Sequence, residues 1–212
     1  MNKATSTEKS SKEKQIIKIA TWNVQGLNKE LKLKELVQEL EKYDINILAV
    51  QKINTKGTAI TIFKKYLWCI GGGEQNKLST GFIIKEEHKD KIIDNRVINE
   101  RLSMIGIKGK YRKLTILNVH APTEETDEAA KQTFYDTIEE SMNNVASFDM
   151  KIIIGDFSGK IGKKEINYKI ARKESLHRKS NKNGQRLTVL AAGNRMIIKT
   201  THLKHEDIPK PT

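Results

Sequence analysis

Residues 151–162, KIIIGDFSGKIG, read as a buried strand that runs straight into polar chemistry. Met150 and Ile152 to Ile154 supply a short, largely β-branched apolar run, Gly155 lets the backbone turn, and Asp156 follows at once. Sheets with helical crossovers place reactive side chains outside their strand ends, on loops held by a rigid scaffold. Asp156 is therefore a candidate for chemistry, although an aspartate directly after an apolar strand also serves as a turn former or helix cap.

Working outward toward the N-terminus, a helix is predicted to start within Thr123–Asp127 and to bury Phe134, Ile138 and Met142. Before it, strands are predicted at Leu114–Val119, closed by His120, Ala121 and Pro122, and at about Leu102–Lys108, with Gly109 and Lys110 as the turn between them. Further strands fall at Gly81–Lys85 and at Trp68–Gly71, the latter ending in a Gly71–Gly73 turn, while Thr55–Lys65 fits either helix or loop. Ile45–Gln51 is nearly all apolar, as a strand covered on both sides should be. Leu33, Leu36, Val37 and Leu40 form the stripe of an amphipathic helix. A first strand begins at Ile16, with Ile17, Ile19 and Thr21 on one face, and runs into Asn23.

Toward the C-terminus comes a basic, loop-rich segment, Lys163–Lys182. A helix follows at Asn183–Ala192, capped by Asn183 and closed at Gly193, with Leu187, Leu190 and Ala191 inward. A last strand is predicted at Met196–Thr200, before a polar, proline-broken stretch.

A chain of 212 residues suits one α/β domain over 15–212, preceded by a disordered basic tail at 1–14. Its single cysteine, Cys69, excludes an internal disulfide and a cysteine zinc cluster. No apolar run reaches the length of a membrane span, and the lysine-rich start lacks the apolar core of a secretory signal, so a nuclear or cytoplasmic location is expected and secretion is not. Lys and Arg outnumber Asp and Glu by 39 to 26, a formal charge of +13, which favours a polyanionic partner such as nucleic acid. Scattered lysines beside glutamates on helical faces produce the same excess without any partner.

The apolar strands end in polar groups: Asn23 after TW, Lys52 after ILAVQ, His120 after ILNV and Asp156 after IIIG. In an α/β sandwich such ends converge on one edge of the sheets. There is no serine or cysteine elbow, no Walker-type phosphate loop and no GxGxxG after the first strand, which disfavours acyl transfer, P-loop hydrolysis and dinucleotide binding. The oxygen and nitrogen groups that remain suit phosphate chemistry with a hard cation.

TWNVQGLN, ILAVQK, LNVHAPTEE, KIIIGDFSGKIG and SNKNGQRL, in this order, resemble the endonuclease/exonuclease/phosphatase superfamily, in particular the endonuclease domains of non-LTR, LINE-like retrotransposons. The likeness runs from about Lys18 to the C-terminus. It implies a DNase I-like two-sheet α/β sandwich, hydrolysis of nucleic-acid phosphodiesters with Mg²⁺ or Mn²⁺ at one end of the sandwich, and DNA as the first partner to consider. By the same resemblance Asn23 positions the metal-site carboxylate or the phosphate, His120 faces the scissile phosphate, and Asp156 orients or activates the attacking water, with Asn23 and Asp156 on the metal side. Outside the resemblance Asn23 also reads as a turn former and His120 as a loop histidine before proline.

The pattern breaks in three places. Lys52 stands where the family has its metal-binding glutamate, and Ser158 where it has an asparagine that contacts the phosphate or leaving oxygen. The family continues past the equivalent of Thr212 through a final hairpin to an Ile-Asp-His motif, and His202 and His205 precede that register. The expectation is an endonuclease-derived domain whose last strands are missing and whose catalysis is impaired or lost. Its alternative is a non-catalytic basic module that binds nucleic acid, with Lys52 as a fixed cation in place of the metal. A sheet lacking its last strands would also expose an unpaired edge.

Overall fold

Alternation along each strand sorts its side chains between two faces, and the structure uses both faces of both sheets. The structure, a computed structural model, describes residues 16–27, 29–72, 78–163, 169–172 and 174–202. The predicted tail, Gly73 and the final polar stretch beyond His202 lie outside the described residues. The chain runs β1 (Ile19–Asn23), α1 (Glu30–Lys42), β2 (Ile47–Gln51), β3 (Thr58–Phe63), β4 (Tyr66–Gly71), β5 (Thr80–Lys85), β6 (Ile92–Asn99), β7 (Leu102–Ile107), β8 (Leu114–His120), α2 (Glu128–Asn143), β9 (Met150–Asp156) and α3 (Lys182–Gly193). The first sheet has the order β1-β2-β5-β4-β3 and the second β6-β7-β8-β9. The pairs β1/β2 and β8/β9 are parallel, and the other neighbours are antiparallel.

The two sheets pack face to face through Ile47, Ala49, Phe82 and Ile84 on one side and Ile105, Ile107 and Ile116 on the other. The alternate residues point outward and are covered by helices. Leu36, Val37 and Leu40 of α1 lie over Leu48, Val50 and Ile83. Phe134, Ile138 and Met142 of α2, with Leu190 of α3, lie over Leu102, Met104, Leu117 and Val119. The result is the α/β two-sheet sandwich expected from the sequence, with a helical layer on each side. Lys151, in the stretch read first, sends its Nζ to the carbonyls of Met142 and Val145 at 3.0 and 2.9 Å and so caps the C-terminal end of α2.

Several expectations are corrected. Thr58–Phe63 is a strand rather than helix or loop: it pairs with β4 from Thr58↔Gly71 to Phe63↔Tyr66 around Lys64 and Lys65, the backbone of Lys64 having φ +53°. Strand β6 went unpredicted because register shifts at Ile92/Asp94 and Val97/Asn99 break its alternation. Met196–Thr200 is not a strand. Ile198 instead packs with Ile161, Ile170, Ala171 and Ala191, its N–H bonded to Ile170 O at 2.7 Å, and Lys199–His202 is a 3₁₀ turn. The cap of α3 is Asn181, whose Oδ1 accepts from Gly184 N at 2.8 Å; Asn183 is buried inside the first turn and donates to Pro122 O at 2.9 Å.

Gly155 is required where it stands. Its φ is +140°, and a Cβ there would lie 2.0 Å from the carbonyl oxygen of Val119 on the neighbouring strand. Gly155→Ala combines backbone strain with a backbone clash, so a loss of about 2–3 kcal/mol is expected in urea unfolding. A loss below about 1 kcal/mol would mean that the β8/β9 register tolerates a side chain here.

Candidate active site at the strand ends

The polar cluster is the continuation of the apolar inter-sheet face. Along β1 that face carries Ile17 and Ile19, then Thr21 and Asn23; along β2, Ile47 and Ala49, then Gln51; along β8, Ile116, then Asn118 and His120; along β9, Ile152 and Ile154, then Asp156. The parallel registers set Asn23 beside Gln51 and His120 beside Asp156. Asn23 Nδ2 donates to Asp156 Oδ2 at 2.9 Å and joins the two sheets. The other carboxylate oxygen accepts the backbone N–H of Ser158 at 2.9 Å, for which Ser158 takes φ +47°. Ser158 thus enters through its backbone, and its carbonyl is held by Asn181 Nδ2 at 2.9 Å.

One layer below, Gln51 and Asn118 form a buried polar clamp. Gln51 Nε2 donates to Asn118 Oδ1 at 2.6 Å, and Asn118 Nδ2 donates to Val50 O at 2.9 Å and Gly81 O at 2.8 Å. Neither residue was singled out from the sequence. The available signal was an amide inside an apolar strand, ILNVH, where burial demands partners.

His120 is 9% exposed, and burial pushes its imidazole below the ordinary histidine value. The guanidinium of Arg101 pushes the same way, Asp156 opposes it, and the ammonium of Lys52 adds to the depression. His120 is therefore a neutral imidazole near pH 7, with Nδ1 buried and unpartnered among the described residues. Arg101 is a further residue at this site that the sequence did not disclose. Its Nη1 donates to His120 O at 3.1 Å, and burial lowers its own guanidinium from the usual value. Lys52 follows β2 with φ +56°, and its carbonyl accepts Gly26 N–H at 2.7 Å.

On another side of the Asn23–Asp156 pair lies an open cleft of ≈ 840 Å³, lined by Thr21, Gln51, Phe157, Ser158, Lys160, Leu187 and Ile198 among others. Glu124 also borders it, but both carboxylate oxygens of Glu124 face the start of α3, accepting from Lys182 N at 3.1 Å and Asn183 N at 3.4 Å.

A hard divalent cation seeks about six oxygen ligands with carboxylates among them. Asn23 Oδ1 is buried without a partner and is a fitting donor, and Asp156 accepts one hydrogen bond on each oxygen and keeps further lone pairs, but these two side chains fall short of six ligands. Among the described residues no three His, Cys, Asp or Glu side chains gather around one point. With the Lys52 and Arg101 charges adjoining His120, this donor set does not fit Mg²⁺ or Mn²⁺. Asn23 and Asp156, the pair expected on the metal side, are hydrogen-bonded to each other, with Asn23 Oδ1 left without a partner.

No protein-family model matches the chain. It is 28% identical over 184 residues to craniofacial development protein 2 of Bos taurus and likewise to that of Tragulus javanicus, covering 86% of this chain in each case. The chain spans about a third of the length of these curated relatives, 31% and 32%. Among solved structures it superposes on the endonuclease domain of TRAS1, a telomere-specific non-LTR retrotransposon, with TM-score 0.55 and 11% identity over 84% of this chain and 71% of that one. The AP endonuclease LMAP from Leishmania major gives TM-score 0.55 and 14% identity over 84% and 66%. D. rerio TDP2 complexed with single strand DNA product gives 0.51 and 16% over 67% and 60%. No helix among the described residues is long and apolar enough to cross a membrane. The two mixed sheets, their helical layers and these likenesses together give the chain the endonuclease/exonuclease/phosphatase fold and make it a distant sequence relative of craniofacial development protein 2.

Proposed function

We propose that this nuclease-like domain binds nucleic acid by seating a backbone phosphate at the strand-end site, and that it no longer hydrolyses the phosphodiester. The observation that carries this reading is the charge balance around His120. Two fixed cations, Lys52 and Arg101, act on it against one carboxylate, Asp156. At ~4 Å and effective ε ~20 a pair of unit charges is worth about 4 kcal/mol, so a net positive site attracts phosphate and repels a divalent cation. Neutral His120 and the Asn23–Asp156 pair supply hydrogen-bonding groups beside those cations. Lys160, Lys163, Arg172, Arg178 and Lys179 are exposed along the adjoining segment, with no ion pair among the described residues, and extend the positive surface past the cleft. The DNA held by a solved protein of the same fold supports nucleic acid as the ligand class.

The test combines binding and cleavage. A labelled duplex should bind with strong salt dependence and equally in EDTA and in Mg²⁺, and Lys52→Gln should reduce the slope of log K against log salt by about 1. Supercoiled plasmid should stay intact with Mg²⁺ or Mn²⁺. Nicking by the unaltered chain that vanishes in Asp156→Ala would overturn the loss of hydrolysis, and an unchanged salt slope in Lys52→Gln would remove the phosphate seat.

A further inference from the structure

The end of the second sheet remote from Asp156 carries another concentration of positive charge. The turn from β7 to β8 reads KGKYRK over 108–113, in which four of six residues are Lys or Arg and none is acidic. Lys108, Lys110 and Arg112 are exposed and have no ion pair among the described residues, whereas Lys113 reaches Asp94 at 3.7 Å. Between them Tyr111 is 84% exposed, with Lys110 Nζ 4.9 Å from its ring centroid. A second ring stands on the same rim. The Leu114↔Met150 register and the bond from Met150 N to Lys113 O, 2.9 Å, bring the segment before β9 alongside this turn, and there Phe148 is 66% exposed and Met150 55%.

Two exposed rings and three exposed cations therefore share one rim. Rings flanked by unpaired cations are the combination that single-stranded nucleic acid uses, because every base offers a face to stack and every linkage a phosphate to neutralise. A duplex keeps its bases stacked on one another and leaves such rings idle. We propose that this rim is a second nucleic-acid contact, selective for single strands, in which bases stack on Tyr111 and Phe148 while phosphates meet Lys108, Lys110 and Arg112. Strand β8 separates it from the phosphate seat: Leu114 lies at the rim and His120 at the site, roughly 20 Å apart along the strand. The two contacts can therefore fail independently.

The experiment measures anisotropy of labelled dT20, rU20 and a 20-base-pair duplex with the full chain. Tyr111→Ala and Phe148→Ala should each weaken single-strand binding roughly 5- to 100-fold and duplex binding less than about twofold, and Tyr111→Phe should restore the parent value. Lys110→Gln with Arg112→Gln should reduce the single-strand salt slope by about 1.4. Thermal unfolding at the parent temperature certifies each variant as folded, since all four side chains are exposed or at a turn tip. The dT20 and rU20 arms separate DNA from RNA as the strand preferred. Equal losses on duplex and single strand, or no loss in either alanine variant, would overturn the proposal. A loss in Lys52→Gln with none in Tyr111→Ala removes this contact alone, and the reverse removes the phosphate seat alone.

Discussion

Asn118→Leu should lower the free energy of unfolding by about 2–4 kcal/mol, a large share of the roughly 5–15 kcal/mol that a domain of this kind possesses. The substituted side chain is similar in size, so the loss comes from polar accounting rather than from a cavity. Asn118 is fully buried and satisfies three partners in the opposite sheet: the carbonyls of Val50 and Gly81 and the Nε2 of Gln51. Leucine forfeits all three bonds in a place water cannot reach; the two carbonyls keep the pairing of Val50 with Gly81 in the β2/β5 ladder, so each loss is that of one hydrogen bond, about 0.5–1.5 kcal/mol. Gln51 is partly rescued by Thr21 Oγ1 at 2.9 Å and Ala49 O at 3.1 Å, which keeps the total below the simple sum. The check is the urea midpoint at constant m-value. A shift equivalent to less than about 1 kcal/mol would show that the clamp is neutral and that the sheets cohere through Ile47, Phe82, Ile105 and Ile116 alone.

The second large effect is expected at Lys52→Glu. The substitution changes the local charge by two units and adds a carboxylate to a site that already holds the free Oδ1 of Asn23 and the carboxylate of Asp156. Partial solvent exposure discounts the full Coulomb value, leaving an expected gain of about 100-fold in Mn²⁺ affinity, with a matching loss of nucleic-acid affinity. Mn²⁺ binding followed by electron paramagnetic resonance, beside plasmid nicking, reads both arms. Cation affinity equal to the parent would show that something other than the Lys52 charge keeps the metal away. Nicking that appears only in Lys52→Glu would show that the remaining groups are competent once a cation is held.

The parts of the fold that are legible in the sequence are those with at least one face in a core. The stripes of α1 and α2 show a period because one face is buried, and β2, β8 and β9 show short apolar runs because both of their faces pack in a core. Strand β3 shows none, since five of its six residues are exposed and Ile60 and Ile62 stand 64% and 53% open, so nothing distinguishes it from a loop. The candidate site divides the same way. Asn23, His120 and Asp156 stand at strand ends and were visible there. Arg101 sits in the two-residue turn between β6 and β7 and meets His120 only through tertiary structure. The cap of α3 was misplaced by two residues because Asn181 and Asn183 are equally good cap residues by type, and only the demand of Pro122 O for a donor assigns Asn183 elsewhere.

The bond between Asn23 and Asp156 spans 133 residues of sequence. During synthesis at about 5–20 residues per second, Asn23 waits roughly 7–27 s before its partner is made. Within that interval β1 can pair with β2, but the inter-sheet face that Ile47, Ala49 and Phe82 present has nothing to cover it until Ile105, Ile107 and Ile116 are made, and Ile152 and Ile154 of β9 come later still. High contact order of this kind makes folding slow, and the interval is when a half-built sandwich is open to mispairing. The site is thus among the last features to form on a nascent chain, and its integrity reports that the whole sandwich has closed.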